Sequence, residues 1–294
     1  MERDELLRRI TTFPLVAGEL ARDMLAGDFR SVFRGEGIEF DEVRRYEQGD
    51  DVRTIDRNVS ARYGTPYVKL YREERELTVF VVLDTSASMF VGGGAAIPLR
   101  RIEQAILAAA LIAFSAERSG QRFGALLFDS DTRAIFKPKR GRSHVMAFAQ
   151  TALQAKPEGR GSALESALMT ASRLLKRRSI VVVISDFLSL GWEHELGSLS
   201  EKHDCIVCRV SDPLDAEIPN VGLVTIEDPE TGALSTCNTA SAAFRSAWSE
   251  WNAERTALCT SIFHRFRLAH IELSTADDVV RILKNFFRSR KRRA

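Results

Sequence analysis

Residues 77–89 read LTVFVVLDTSASM, a nearly unbroken apolar run that ends at Asp84 and continues into a loop rich in hydroxyl side chains. An apolar run of this length, rich in β-branched residues, is typical of a strand that is covered on both faces, as the strands of parallel sheets are. Residues 179–186, SIVVVISD, repeat the pattern and again end in an aspartate, Asp186. The two runs therefore predict two buried, parallel strands.

Outward from these runs, strand patterns alternate with helical ones. Helical spacing of apolar residues occurs at 100–120, 145–153, 163–176, 193–202, 243–266 and from 277 onward. Further strands are predicted at 122–130, at 132–139 as an antiparallel partner, at 203–210, at 221–228 as an edge or returning strand, and near 270–273. This alternation predicts an α/β fold, a doubly wound and mostly parallel sheet with helices on both faces.

The residues before this pattern have a different character. Apolar positions at three- and four-residue spacing within the first thirty or so residues predict short amphipathic helices. Residues 27–76 are polar, yet they contain aromatic side chains such as Phe29, Phe33 and Tyr46, which a loose linker would lack. We therefore divide the chain into an N-terminal segment, 1–76, packed on a main α/β domain, 77–294.

Composition excludes several classes of protein. Of the 294 residues, 45% are hydrophobic, and 42 Lys and Arg nearly balance 40 Asp and Glu, for a net charge of +2. This balance argues against a disordered chain and against nonspecific nucleic-acid binding, so no nucleic-acid partner is expected. The apolar runs are shorter than the roughly 18 residues of a membrane span, and the charged N-terminus lacks the apolar centre of a secretory signal. We expect a cytoplasmic protein.

Cys205 and Cys208 form a C-x-x-C pair, which raises the possibility of zinc or redox chemistry. The pair lies within HDCIVCRV, a predicted buried strand. Because successive side chains of a strand point to opposite faces, an offset of three residues separates the two thiols. We favour two buried structural thiols over a metal site here.

The candidate binding residues lie where the predicted strands end. Ligands of such sheets bind at the carboxyl ends of the strands. Asp84, Ser86 and Ser88 follow the first run, Asp186 ends the second, and Ser162 precedes a predicted helix in GRGSAL. Oxygen ligands from carboxylates and hydroxyls suit a hard cation such as Mg²⁺, or Mn²⁺. The alternative is that these residues serve as helix caps and turn residues, with Ser162 capping its own helix.

The D-x-S-x-S motif, a loop hydroxyl and a later aspartate resemble the metal-ion-dependent adhesion site of von Willebrand factor A-like domains. Residues 34–56, 60–78 and 84–89 together resemble the bacterial family called domain of unknown function 58, firmly over about 20–187. The resemblance implies a von Willebrand factor A-like domain whose ion is held by Asp84, Ser86, Ser88, Ser162 and Asp186. Members of this family often accompany MoxR-type AAA+ ATPases, so the implied partner is such an ATPase or its protein client.

These features predict a non-enzymatic, metal-dependent protein-interaction module whose ion accepts an Asp or Glu from a partner. The alternative is a metal-dependent phosphohydrolase with Asp84 as nucleophile. Such enzymes typically have a second carboxylate two residues after the nucleophile for proton transfer, and Ser86 occupies that position here.

The carboxyl-terminal residues 286–294 read FFRSRKRRA and cluster five basic side chains. A solvated, frayed terminus is the simplest interpretation. The alternative is peripheral contact with anionic lipid or with an acidic partner, an interaction that salt would weaken.

Overall fold

The computed structural model of the protein describes residues 3–24, 38–47, 50–51, 55–73, 77–94 and 99–293. The chain forms two compact units. One comprises Met1–Gly27 and Leu77–Ala294, and the other comprises Asp28–Glu76. The first helix therefore belongs to the same unit as the strands that follow residue 77.

The strands are, in chain order, β1 (Ile38–Arg45), β2 (Tyr67–Glu73), β3 (Thr78–Asp84), β4 (Arg122–Phe128), β5 (Thr132–Lys139), β6 (Ile180–Ser185), β7 (Asp204–Ser211), β8 (Leu223–Glu227), β9 (Leu234–Asn238) and β10 (Ala269–Ser274). The helices are α1 (Arg3–Met24), α2 (Arg57–Tyr63), α3 (Arg101–Arg118), α4 (Arg142–Gln154), α5 (Leu164–Leu174), α6 (Glu193–Lys202), α7 (Pro213–Ala216), α8 (Ala242–Arg265) and α9 (Val279–Arg293). A short 3₁₀ helix, Ala87–Phe90, follows β3.

Six strands form the central sheet in the order β10-β7-β6-β3-β4-β5. Neighbouring strands are parallel except β4 and β5, which are antiparallel. The predicted α/β class and the mostly parallel sheet are confirmed, as is the antiparallel partner at 132–139. From β3 the chain continues through β4 and β5 on one side, whereas β6, β7 and β10 lie on the other. The strand order thus reverses between β3 and β6, which is where open α/β sheets form their ligand crevice.

The central strand β3 is buried on both faces, because every residue from Val79 to Asp84 is buried. On one face, Phe80 and Val82 pack in an apolar cluster with side chains from α5, α6 and α8. On β4, Phe123 contacts Phe148 of α4 in an edge-to-face pair, with ring centroids 5.0 Å apart. The continuous apolar pattern of 77–83 reflects this two-sided covering.

Two predictions about local elements were wrong. The N-terminal residues form the single helix α1 rather than several short helices, because Leu6, Ile10, Phe13 and Ala17 make one continuous buried stripe. Residues 221–228 do not extend the central sheet. Their strand β8 pairs with β9 in a separate two-stranded hairpin.

The unit 28–76 contains the antiparallel pair β1–β2 and the helix α2. Asp56 caps α2 by accepting the N–H groups of Asn58 and Val59, and Gly64 ends it with a φ of 68°. Phe29 and Phe33, which contributed to the predicted packing of this segment, lie outside the described residues. Within the described part of the chain, no helix has both the length and the apolar character that crossing a bilayer requires.

Candidate metal centre

Hydroxyl groups from two other segments meet the carboxylate of Asp84 at the carboxyl edge of the sheet. Ser185, the last residue of β6, donates from Oγ to Asp84 Oδ2 at 2.6 Å. Ser162, from the loop before α5, donates to the same oxygen at 3.3 Å. The parallel register explains the first contact. Leu83 lies beside Ile184, so the residues that follow them, Asp84 and Ser185, are neighbours at the ends of the two strands.

The loop after β3 folds back onto the same carboxylate. The Ser86 N–H donates to Asp84 Oδ1 at 2.9 Å, and the 3₁₀ helix Ala87–Phe90 then turns the chain. This turn brings the hydroxyls of Ser86 and Ser88 within 3.2 Å of each other. The D-x-S-x-S spacing therefore places two neighbouring hydroxyls on the loop that folds back onto the carboxylate.

Asp186 follows β6 and is buried, with 5% of its surface exposed. Its Oδ1 accepts the N–H of Leu188 at 3.0 Å, whereas its Oδ2 has no hydrogen-bond partner among the described residues. Arg101 Nη1 lies 4.0 Å from Oδ2 and is the cation that pairs with it among the described residues. A buried carboxylate oxygen without a donor is costly in water-free surroundings, and it is a natural ligand for a cation.

The turn that presents Asp186 has a strained backbone. Phe187 has a φ of 55°, in the left-handed region that a bulky residue rarely adopts. Its ring packs edge-to-face against Trp192 at 5.0 Å and Phe263 at 5.4 Å, and its N–H donates to Ser185 Oγ. These contacts hold the strained conformation in place, a feature that is common at functional sites.

The electrostatics of the site favour an added positive charge. Burial, together with the nearby charge of Asp186, raises the pKa of Asp84 to about 7, although hydrogen bonds from Ser185 and Ser86 oppose the shift. Burial also raises the pKa of Asp186, against the opposing charge of Arg101. Asp186 thus has the partial compensation of one guanidinium, which itself also hydrogen-bonds Asp215 and the Ser88 carbonyl.

All five predicted site residues lie in this region, on the elements that the sequence indicated. Ser162 does not cap α5, because the capping position is Ala163 and Ser162 donates to Asp84 instead. Three further residues were missed: Ser185, Arg101 at the start of α3, and Glu230 in the turn between β8 and β9. Ser185 carried a weak signal, a hydroxyl directly before the strand-end aspartate, whereas nothing local marked the other two.

The ligands present suit a hard cation only in part. Within the described ranges, no group of three or more His, Cys, Asp and Glu side chains is arranged to hold a metal ion. An ion here would depend on two carboxylates and on neutral hydroxyls, with water or an outside ligand completing its shell. Mg²⁺ and Mn²⁺ accept such shells, because they keep several waters and prefer oxygen ligands.

The cysteine pair predicted in β7 is buried. Cys205 and Cys208 are free thiols, and burial raises the pKa of both, as expected for inert structural cysteines.

The basic tail contains one residue with a defined partner. Arg290 hydrogen-bonds the carboxylate of Asp204. The side chains of 291–293 lie outside the described residues. Binding of the tail to lipid or to an acidic partner stays a prediction.

Comparison with known proteins identifies the family. Residues 42–257 match the family described as protein of unknown function DUF58, and the chain belongs to this family. It is 32% identical to the uncharacterized protein Rv1480 of Mycobacterium tuberculosis over 233 residues, which cover 78% of this chain and 73% of that protein. The uncharacterized protein Mb1516 of Mycobacterium bovis matches over the same share.

Among solved structures, the chain is similar to an aerotolerance-related membrane protein from Bacteroides fragilis NCTC 9343. The TM-score is 0.52 at 18% identity, and the match covers 74% of this chain and 100% of that one. At this level of identity the similarity concerns the fold alone.

Proposed function

We propose that this protein is a metal-dependent protein-interaction module with a von Willebrand factor A-like domain. Its adhesion-type site would bind Mg²⁺, or Mn²⁺, through Asp84, Ser86, Ser88, Ser162 and Asp186. The observation that carries the proposal is the meeting of Ser162 and Ser185 on one oxygen of Asp84, beside the loop hydroxyls of Ser86 and Ser88.

Charge balance supports a cation at this position. Asp84 and Asp186 are both buried, and an unpaired charge in such surroundings is strongly unfavourable. A divalent ion would neutralise both carboxylates, and the hydroxyls would fill further positions without adding charge. The ion would therefore remain electrophilic toward an additional anionic ligand.

The proposed partner supplies that anionic ligand as an Asp or Glu side chain. The family resemblance favours a MoxR-type AAA+ ATPase, or the protein client on which it acts. Because such an ATPase requires ATP, we place the encounter in the cytoplasm. Binding would then depend on the ion, since the partner's carboxylate would have no cation to contact without it.

The geometry supports a phosphohydrolase less well. Asp84 is fully buried, so its carboxylate is not accessible to a substrate as large as a phosphate ester. Ser86, two residues later, has no carboxyl with which to transfer a proton. A non-enzymatic role therefore accounts better for the arrangement.

Calorimetric titration with Mg²⁺ and Mn²⁺ tests the site, and a binding assay with the MoxR-type ATPase tests the function. We expect the wild type to bind one ion and Asp84→Asn to bind none. We also expect the ATPase to bind only the ion-loaded wild type. Asp131→Asn, which changes an exposed loop carboxylate near β4, is the matched control and should behave as the wild type. Equal ATPase binding with and without the ion would refute the proposal.

A further inference from the structure

The amino edge of the central sheet lies opposite the candidate metal centre and belongs to a single compact unit of the chain. The register aligns the start of β3 with that of β4, and the start of β6 with that of β7. The antiparallel strand β5 ends at this edge, where its last residue, Lys139, pairs with Phe123. The seven residues of β3 place Asp84 about 20 Å away, at the other edge.

This amino edge carries a large excess of positive charge. The segments that form it lead into a parallel strand or end β5 or a helix, and they are 117–122, 139–142, 176–178, 201–204 and 288–290. They contain eleven Lys and Arg but only three Asp and Glu, whereas the net charge of the whole chain is +2. The rest of the chain is therefore net negative, and the excess of positive charge is concentrated at one edge.

Hydrogen bonds join neighbouring segments of this edge. Arg290, near the end of α9, hydrogen-bonds the carboxylate of Asp204 at the start of β7. The Asp204 N–H donates to the carbonyl of Ser179, which directly follows the basic run 176–178. The end of α9 and the starts of β6 and β7 therefore lie side by side.

The positive charges are close enough to act on the same side chain. His203, between α6 and β7, is buried, and neither of its ring nitrogens has a hydrogen-bond partner. Burial lowers the pKa of His203, and the positive charges of Lys202 and Arg178 lower it further. Cations from two separate segments thus combine into one positive field.

Helix stability explains only part of this charge. Arg118 and Lys202 lie in the last turns of α3 and α6, where a cation complements the helix dipole. In contrast, α4 begins at Arg142, directly after Lys139 and Arg140, and has no acidic residue in its first turn. Positive charge at a helix N-terminus opposes the dipole. These cations therefore occupy positions that local stability does not favour.

The basic edge is exposed and has no apolar centre. Lys139, Arg142, Lys176 and Arg177 are exposed, and none forms an ion pair with the described residues. In the described part of these segments, no large hydrophobic side chain is exposed. A protein interface usually has an apolar core, and single-stranded nucleic acid is usually bound by aromatic stacking. The edge therefore fits a broad anionic surface better than either of these partners.

We propose that the amino edge of the sheet is a docking surface for anionic lipid, on which the protein adsorbs without inserting. The six strands span about 24 Å, enough to contact several headgroups. Each Lys or Arg near an anionic membrane strengthens binding about fivefold. Docking in this way turns the carboxyl edge, with the candidate metal centre, away from the membrane. The inference does not rest on the proposed metal-dependent function.

Co-sedimentation of the full chain with vesicles tests this inference. One set of vesicles contains phosphatidylcholine alone, and the other also contains one third phosphatidylglycerol. We expect the wild type to bind only the second set, and salt to weaken that binding. Lys139→Gln combined with Arg142→Gln should weaken binding about twentyfold, and so should Lys176→Gln combined with Arg177→Gln. The two pairs lie in different segments, so a role limited to one loop would leave one pair without effect.

The matched control is Lys156→Gln combined with Arg281→Gln, which also removes one exposed lysine and one exposed arginine. Lys156 follows α4 and Arg281 lies in the first turn of α9, both toward the carboxyl edge of the sheet. This control should bind anionic vesicles as the wild type does. Equal weakening by the control and by the other two pairs would overturn the proposal.

The wild type alone also provides a decisive measurement. Failure to bind the phosphatidylglycerol vesicles at low salt, or equal binding to phosphatidylcholine alone, would overturn the proposal whatever the variants do. Tighter binding to a duplex DNA fragment than to the anionic vesicles would do the same, in favour of nucleic acid. Asp84→Asn should bind the vesicles as the wild type does, because the metal centre lies at the other edge.

Discussion

At the scale of single residues, Asp84 connects the parts of the site. It is the last residue of β3, it is fully buried, and it accepts hydrogen bonds from Ser86, Ser162 and Ser185. Asp84 and its four companions were predicted together from the sequence, because they lie at or shortly after the end of a strand, or shortly before a helix. The sequence was insufficient for Arg101 and Glu230, since only the folded chain brings them near.

The raised pKa of Asp84 predicts that metal affinity depends on pH. Because burial and the charge of Asp186 raise this pKa to about 7, the carboxyl of the metal-free protein keeps its proton at lower pH. A cation must displace that proton, so affinity for Mg²⁺ should rise between about pH 6 and pH 8, and binding should release protons. Calorimetry in two buffers with different ionisation enthalpies measures both effects. An affinity that does not change over this interval would contradict the prediction.

Ser185 provides a second prediction at this scale. Its hydroxyl makes a 2.6 Å hydrogen bond to Asp84, and removing it leaves a buried carboxylate oxygen with only the longer bond from Ser162. Ser185→Ala should lower the free energy of unfolding by about 1–3 kcal/mol and weaken Mg²⁺ binding. Ser179→Ala removes a hydroxyl just before the other end of the same strand, where it donates to the Arg177 carbonyl. That control should leave Mg²⁺ affinity unchanged. Urea unfolding and calorimetry measure the two quantities.

At the scale of secondary-structure elements, sequence patterns predicted best where burial is strongest. The strands β3 and β6 are buried along nearly their whole length, so their apolar runs were unambiguous. The hairpin β8–β9 could not be predicted correctly, because its strands are short and largely exposed; Leu223 is 75% exposed and Leu234 is 69% exposed. An exposed hairpin leaves no periodic apolar pattern that distinguishes it from a strand at the edge of the sheet.

Close packing between β3, β4 and β5 predicts that adding a side chain at Gly124 destabilises the protein. A Cβ at this position would lie 2.8 Å from both the Phe136 carbonyl and the Phe80 ring. Gly124→Ala should therefore destabilise the protein by about 1–3 kcal/mol, as overpacking of a core does. Gly94→Ala introduces the same methyl group where no heavy atom of the described residues lies within 4 Å, and it should be nearly neutral. Equal unfolding midpoints for the two variants in denaturant would disprove this packing.

At the scale of the whole molecule, the proposed function is contact with another protein at the carboxyl edge of the central sheet. The chain belongs to a family of unknown function, and its sheet places the reversal of strand order between β3 and β6. The side-chain oxygens of the proposed site lie at that reversal, where α/β sheets generally bind ligands. Fold and site thus agree on one location, although they were derived from different features of the sequence.

An ion that binds the folded protein but not the unfolded chain should raise the free energy of unfolding. At a free Mg²⁺ concentration 100-fold above the dissociation constant, the gain is about 2.7 kcal/mol. Thermal unfolding should therefore shift upward with Mg²⁺ and return to its original midpoint with excess chelator. Asp84→Asn should show no shift, whereas Asp131→Asn should respond as the wild type does. A shift of equal size in Asp84→Asn would place the ion elsewhere.

The most direct test of the central claim is a crystal structure of the protein grown with Mn²⁺, with the ion located by its anomalous scattering. The account predicts one strong peak enclosed by the side-chain oxygens of Asp84, Ser86, Ser88, Ser162 and Asp186. A Mn²⁺ peak found only outside this group, at a concentration that saturates the protein in solution, would contradict it.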